Sequence, residues 1–244
     1  MNGISEITIL GLFFGMLGTT LGGVVGSFLK INSNKRLGFI LEFAAGLMTS
    51  IICFDLIPEA LEYADITVCL VGIFIGISIM ILCDELVKKI SLTKNQNNHL
   101  LKTGMIILIG LTIHNFPEGL AIGAGFEASS ALGISLAIAI AIHDVPEGIS
   151  IAVPMKEGGS KKGKVVILTA LSGVTTGIGA LFGAIIGNIS ETLIAGALSL
   201  AAGAMLYIVS CELIPESKSM YKGRFTSVGN IIGILLGLFA HICF

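Results

Sequence analysis

His114-Asn115-Phe116-Pro117-Glu118-Gly119 and His143-Asp144-Val145-Pro146-Glu147-Gly148 interrupt two otherwise apolar runs of this chain with imidazole, carboxylate and proline. The runs, near 104–126 and 129–155, are long enough to cross a bilayer as helices, which takes roughly 17–25 residues. Six further runs of that kind lie near 7–29, 37–61, 66–87, 165–189, 192–216 and 225–244. Their length and abundant small residues suit packed helices, not the short alternating strands of a barrel. The expectation is an all-α membrane protein: eight transmembrane helices forming a single integral membrane domain over residues 1–244.

Composition agrees. Of 244 residues 54% are hydrophobic and 12% charged, with a mean hydropathy of +0.97. A soluble domain carries roughly a quarter charged residues, so a water-soluble globular enzyme, a disordered chain and a nucleic-acid binder are excluded. The first run lacks a basic flank and opens a series of similar spans, unlike a cleaved signal peptide. Cys53, Cys69, Cys83, Cys211 and Cys243 show no ligand spacing and read as small core residues.

All 14 basic residues fall in odd-numbered loops: Lys30, Lys35 and Arg36; Lys88, Lys89, Lys94 and Lys102; Lys156, Lys161, Lys162 and Lys164; Lys218, Lys222 and Arg224. The even loops carry only acids, among them Glu62, Asp65, Glu127 and Glu191. The positive-inside rule then places odd loops in the cytoplasm and both termini outside. The longest loop expected, Lys88 to Lys102, is polar and holds His99, read as a solvated residue.

Two repeats are legible. Ala44-Ala45-Gly46, Met48, Asp55 and Leu56-Ile57-Pro58-Glu59 recur at identical offsets as Ala201-Ala202-Gly203, Met205, Glu212 and Leu213-Ile214-Pro215-Glu216. Spans 2 and 7 run in opposite directions, so the segments are antiparallel. Such matching is the signature of inverted-repeat transporters, whose substrate site lies near the midplane. The two hexapeptides are the second repeat, also on antiparallel neighbours. Spans 1–3 and 6–8 are therefore expected as an inverted repeat around a central pair of spans 4 and 5.

Residues four apart share a helix face. His114 and Glu118 therefore project together, as do His143 and Glu147, while Asn115 and Asp144 stand about 100° away. Pro117 and Pro146 are expected to kink their helices and free the carbonyls of Ile113 and Ile142. The glycine after each Glu permits close helix approach. No Lys or Arg falls within a span as read, so Glu118, Asp144 and Glu147 have no basic partner. A bare carboxylate at the bilayer centre costs several kcal/mol. It is either protonated or neutralised by a bound cation. Imidazole with carboxylate is a ligand set for first-row divalent metals. Met48 and Asp55, seven apart, are expected on one face and about 10.5 Å apart along the axis. Met205 reads as apolar packing. Glu59 and Glu216 read as interfacial, Glu42, Asp84 and Glu85 as solvated near the cytoplasmic ends, and His241 as interfacial.

At these residues the chain resembles the ZIP (Zrt/Irt-like) family of divalent metal transporters, and more narrowly its small bacterial GufA-like members. The resemblance implies a two-metal site: His114, Glu118, His143 and Glu147 with Met48 as the primary part, and Asn115 and Asp144 with the shared Glu118 and Glu147 as the second. It also implies Asp55 at an entrance, Glu212 at an exit, inward transport and an elevator-like motion. Two departures stand out. Thr176 occupies a span-6 position where the family often has a Glu ligand, which should weaken the second metal. The loop between spans 3 and 4 lacks a His-rich tract.

The function expected is secondary transport of divalent transition-metal ions, Zn2+ foremost, across the plasma membrane into the cytoplasm. Cd2+, Fe2+ and Mn2+ suit the same ligands. A divalent-metal channel and an intramembrane metallohydrolase are the alternatives, the latter without the usual HExxH arrangement. The expected partners are the metal and the lipid bilayer, with no nucleic acid, and a homodimer is compatible. No cofactor is expected beyond the transported metal.

Overall fold

In the computed structural model the described residues are 3–28, 33–93 and 99–243, and the side chains of 87–93, 99, 102–103 and 243 lie outside the description. Lys30 and Lys94 lie outside it altogether, as do the side chains of His99 and Cys243.

Eight helices long and apolar enough to cross a membrane are found among the described residues. They are α1 (Ile4–Phe28), α2 (Asn34–Tyr63), α3 (Ile66–Thr93), α4 (His99–Ala128), α5 (Ser130–Glu157), α6 (Lys162–Gly187), α7 (Glu191–Met220) and α8 (Arg224–Cys243). No strand occurs among them. Local chemistry sets the tight starts: the Ser129 hydroxyl accepts from Leu132 N–H at 3.1 Å, Asp65 Oδ1 from Thr67 N–H at 2.8 Å. Both satisfy N–H groups that a helix start leaves unpaired.

The helices outrun the apolar cores that announced them. Because α3 reaches Thr93 and α4 begins at His99, most of the long loop expected between Lys88 and Lys102 is helix. For the same reason basic residues sit inside helix ends, Lys218 in α7 among them.

The packing forms two groups. Helix α1 lies along α5 and α6, while α4 lies along α5 and α6. In the other group α2 packs on α8, and α3 on α7. Exchanging α1 with α6, α2 with α7, α3 with α8 and α4 with α5 maps each of these pairings onto another or onto itself, as the inverted repeat requires. Burial follows: 78% of the most apolar window of α5 is buried, against 22% for α3 and 17% for α8. Hence α5 is central and α3 and α8 face outward. Large side chains such as Phe74, Leu82, Leu235 and Phe239 cover those outer faces, in keeping with spans bathed in lipid.

The prolines fall in two kinds of surroundings. Both α4 and α5 run on as α-helix through Pro117 and Pro146. The wider π turns appear in α2 and α7, at Ile51–Leu56 and Val209–Leu213, just before Pro58 and Pro215. A π turn bonds i to i+5 and changes the rotation of everything beyond it. The seven-residue spacing of Met48 and Asp55 therefore does not place them on one α-helical face. Helix α6 breaks at Gly173, between Ser172 and Val174.

The cysteine expectation holds only in part. Cys69 is buried, but Cys53 and Cys211 are exposed. Both exposed thiols fall in the π turns.

Candidate metal site

The glycines after the two glutamates set the site by bringing helices together. A Cβ at Gly148 would stand 2.9 Å from Gly22 Cα of α1, and one at Gly119 would stand 2.9 Å from Ala180 N of α6. Any larger residue would push α5 off α1 or α4 off α6. That close packing, with the i, i+4 spacing within each motif, turns both His-Glu pairs into the α4–α5 seam.

There the side chains meet. His143 Nε2 lies 2.8 Å from Glu118 Oε1, 3.5 Å from Asp144 Oδ1 and 4.0 Å from Glu147 Oε1. His114 Nε2 lies 3.2 Å from both Glu118 Oε1 and Glu147 Oε1. One ligand atom each from Glu118, His143, Asp144 and Glu147 falls within 4.8 Å of the others. Ligand atoms about 2.0–2.2 Å from one tetrahedral Zn2+ stand about 3.3–3.6 Å from each other. Holding an ion would therefore draw the most distant of these atoms together by about an ångström.

The cluster is dry. His114, Asn115, Glu118, His143 and Asp144 are fully buried and Glu147 is 1% exposed. Among the described residues no Lys or Arg pairs with it, and its ion-pair contacts run between its own imidazoles and carboxylates. Both oxygens of Asp144 and of Glu147, Glu118 Oε2 and the Nδ1 atoms of both imidazoles have no hydrogen-bond partner. A buried carboxylate oxygen without a donor is costly. So many around one point fit a ligand set that a dication completes.

Asn115 is held by the α6 break. Its amide donates to the Ser172 carbonyl at 3.0 Å, an acceptor left without its usual partner where the helix stops at Gly173. Asn115 Oδ1 stays buried and unpartnered. The Thr175 hydroxyl lies 2.7 Å from the carbonyls of Thr112 and Ser172, tying the break to α4. Thr176 is fully buried with an unpartnered hydroxyl, facing Gly15 of α1. The Ser172-Gly173 dipeptide was the available signal for this break.

Met48 is fully buried in the apolar core of α2, and Met205 likewise in α7. Asp55 turns instead to α8, 2.8 Å from His241 Nδ1. Glu212 lines a cavity of about 460 Å³ with Cys83 and Asp84 of α3, Gly110 and Ile113 of α4, and Ser150 of α5. Ile113 adjoins His114, and Ser150 sits one turn beyond Glu147. The cavity thus reaches residues that neighbour the cluster, and Glu216 and Ser219 line it toward the basic-loop end of α7.

Two acids depart from their solvated reading. Glu42 is 2% exposed and paired with Lys218 Nζ at 2.7 Å. The same ammonium donates to Thr226 Oγ1 at 3.0 Å and Ser227 Oγ at 2.7 Å. Asp84 is half-buried and accepts from the Tyr207 hydroxyl at 2.9 Å. Glu85 is exposed as expected, and of the two acids read as interfacial Glu59 is half-buried and Glu216 exposed. These ties depend on partners on other helices, which α-helical spacing alone does not reveal.

Known proteins are similar to this chain. A family model described as "ZIP Zinc transporter" matches residues 93–243. The zinc transporter GufA of Myxococcus xanthus is 39% identical over 137 residues, covering 56% of this chain and 54% of that protein, so the match spans about half of that relative. The zinc transporter ZupT of Chlorobium chlorochromatii is 32% identical over 250 residues, 93% of each chain. The human zinc transporter ZIP11 is 38% identical over 138 residues, 54% of this chain and 40% of its own. With the family model over the greater part of its length and a ZupT relative aligned along nearly all of it, the chain belongs to the ZIP zinc transporter family.

Proposed function

We propose that this protein is a secondary transporter carrying divalent transition-metal ions, Zn2+ foremost, across the plasma membrane into the cytoplasm. The observation that carries this reading is the dry seam of α4 and α5, where two imidazoles and three carboxylates meet without a basic side chain. A dication supplies the missing charge, and N/O ligands of this kind suit Zn2+ while accepting Cd2+, Fe2+ and Mn2+. His114, Glu118, His143 and Glu147 hold the ion, with the Met48 thioether completing the shell. Asn115 and Asp144, sharing Glu118 and Glu147, take a second ion weakly, because Thr176 contributes only a neutral hydroxyl.

Asp55 receives the ion at one end of the path and Glu212 passes it on at the other. The basic loops support a reading with the Glu212 end in the cytoplasm and both termini outside. Residues 1–244 act as one transport domain, and two copies pair as a homodimer. A carrier is favoured over a channel by the matched antiparallel halves and by ligands that grip the ion; conduction needs easy release. No HExxH pair is present to favour metallohydrolysis.

The test is Zn2+ uptake by purified protein in proteoliposomes. His143→Ala and Glu147→Ala, each folded and monodisperse, are expected to abolish uptake. Wild-type rates in both variants would overturn the proposal.

A further inference from the structure

Besides the central path, a second cavity opens between the two helix groups. It holds about 360 Å³ and is lined by Phe39, Ile40 and Phe43 of α2 and by Ile142, Val145, Pro146 and Ile149 of α5. Every lining residue is apolar. Ile142 is 51% exposed, so the groove opens outward at the depth of the central cluster. Its wall from Ile142 to Ile149 runs about 10.5 Å along α5, a large part of one leaflet's roughly 15 Å of hydrocarbon.

Positive charge marks one end. Lys35 Nζ lies 4.4 Å above the Phe225 ring, and that ring packs 5.0 Å from Phe39 of the groove wall. Arg36 is exposed and stands one turn before Ile40, with Phe43 next along the stripe. Ammonium, guanidinium and apolar wall therefore follow one another along a single edge of α2. That sequence of groups matches one molecule: an anionic headgroup joined to a hydrocarbon tail.

The matching place in the other half differs. Ala44 and Ala201 correspond, as do Asp55 and Glu212, both 157 residues apart. By that offset Phe39 and Ile40 correspond to Gly196 and Ala197, and Lys35 and Arg36 to Thr192 and Leu193. There the helix start is acidic, with Glu191 in its first turn, and α7 packs against α4 more extensively than α2 against α5. Bulky apolar residues and basic charge occur together only on the α2 side of this comparison.

We infer that the α2–α5 groove binds an anionic phospholipid, its acyl chain between Phe39, Ile40 and Ile149 and its phosphate at Lys35 and Arg36. The test is native mass spectrometry of the full-length protein purified with phosphatidylglycerol and phosphatidylcholine in equal amounts. The wild type should retain phosphatidylglycerol preferentially. Lys35→Gln combined with Arg36→Gln should weaken that retention by about fivefold for each charge removed. Ile40→Trp, which fills the groove and leaves the charges in place, should also reduce it. Equal retention of both lipids by the wild type would overturn the proposal, as would unchanged retention in the doubly neutralised protein. Loss with the charges but not with Ile40→Trp would overturn the groove as the seat of the tail. None of these readouts depends on metal transport.

Discussion

Helices α2 and α7 carry the same sequence pattern and the same π turn, yet their acids have different surroundings. Asp55 of α2 is 2.8 Å from His241 of α8. Glu212 of α7 borders a cavity of about 460 Å³. Equivalent positions in an inverted repeat face opposite membrane surfaces. In this structure a cavity reaches Glu212 near the basic-loop face, while Asp55 is drawn against α8. A second conformation with the roles exchanged needs no new fold, because the mirrored helix pairings already exist in it.

The largest effect expected belongs to the seam that both halves share. Glu118→Ala should remove measurable high-affinity Zn2+ binding by calorimetry, since Glu118 Oε1 touches both imidazoles. The substitution also removes one carboxylate from a cluster without basic partners, so the folded protein should persist in circular dichroism. Retained high-affinity binding would move the ligand set away from the α4–α5 seam.

The next effect tests the asymmetry itself. Cys211 is exposed at the π turn of α7 and lines the open cavity. Its counterpart by the 157-residue offset is Phe54. In proteoliposomes a polar maleimide reaching the basic-loop face should label Cys211 readily. In a Cys53→Ser background, Phe54→Cys should label from the opposite face at least about tenfold more slowly, because a minor conformation is populated at 10% or less. Equal rates would mean that both ends are open together, and the carrier reading would yield to a channel.

Much of this was legible in the sequence, for physical reasons. Apolar length reports a helical span directly, and an i, i+4 spacing reports a shared face, so eight helices and the His114–Glu118 and His143–Glu147 pairs could be read at once. The Gly119 and Gly148 contacts were legible because only glycine tolerates backbone at such range. Positions that depend on helix rotation were not. The π turns before Pro58 and Pro215 hold the exposed Cys53 and Cys211 and undid the Met48–Asp55 spacing. Nor could the sequence pair residues between distant helices, which is why Glu42 was read as solvated.

That pair gives the third prediction. Lys218 joins the end of α7 to Glu42 in α2 and to Thr226 and Ser227 in α8. The position matching Glu42 in α7 is Ser199, so the other half has no such anchor. Lys218→Met would leave the Glu42 carboxylate buried without its cation, which costs about 3–5 kcal/mol for a fully buried pair. The Lys218 side chain is 38% exposed, and water would screen part of that loss, so about 2 kcal/mol is expected. Thermal unfolding in detergent measures it. Glu42→Gln in the same background should recover most of the stability, which a merely packed lysine stem would not predict.

The smallest effect lies at the opposite end, and it separates a structural tie from a functional one. Asp55 is 11% exposed at its side chain and His241 is 42% exposed. A contact so open to its surroundings contributes no more than about 1 kcal/mol, so His241→Ala should barely move the unfolding temperature. Yet the contact holds α2 to α8 at the Asp55 end. Releasing it should shift the conformational balance and raise the Phe54→Cys labelling rate. Under two-state exchange the same 1 kcal/mol corresponds to about fivefold in that rate. Unchanged labelling with unchanged stability would reduce the Asp55–His241 pair to an incidental surface contact.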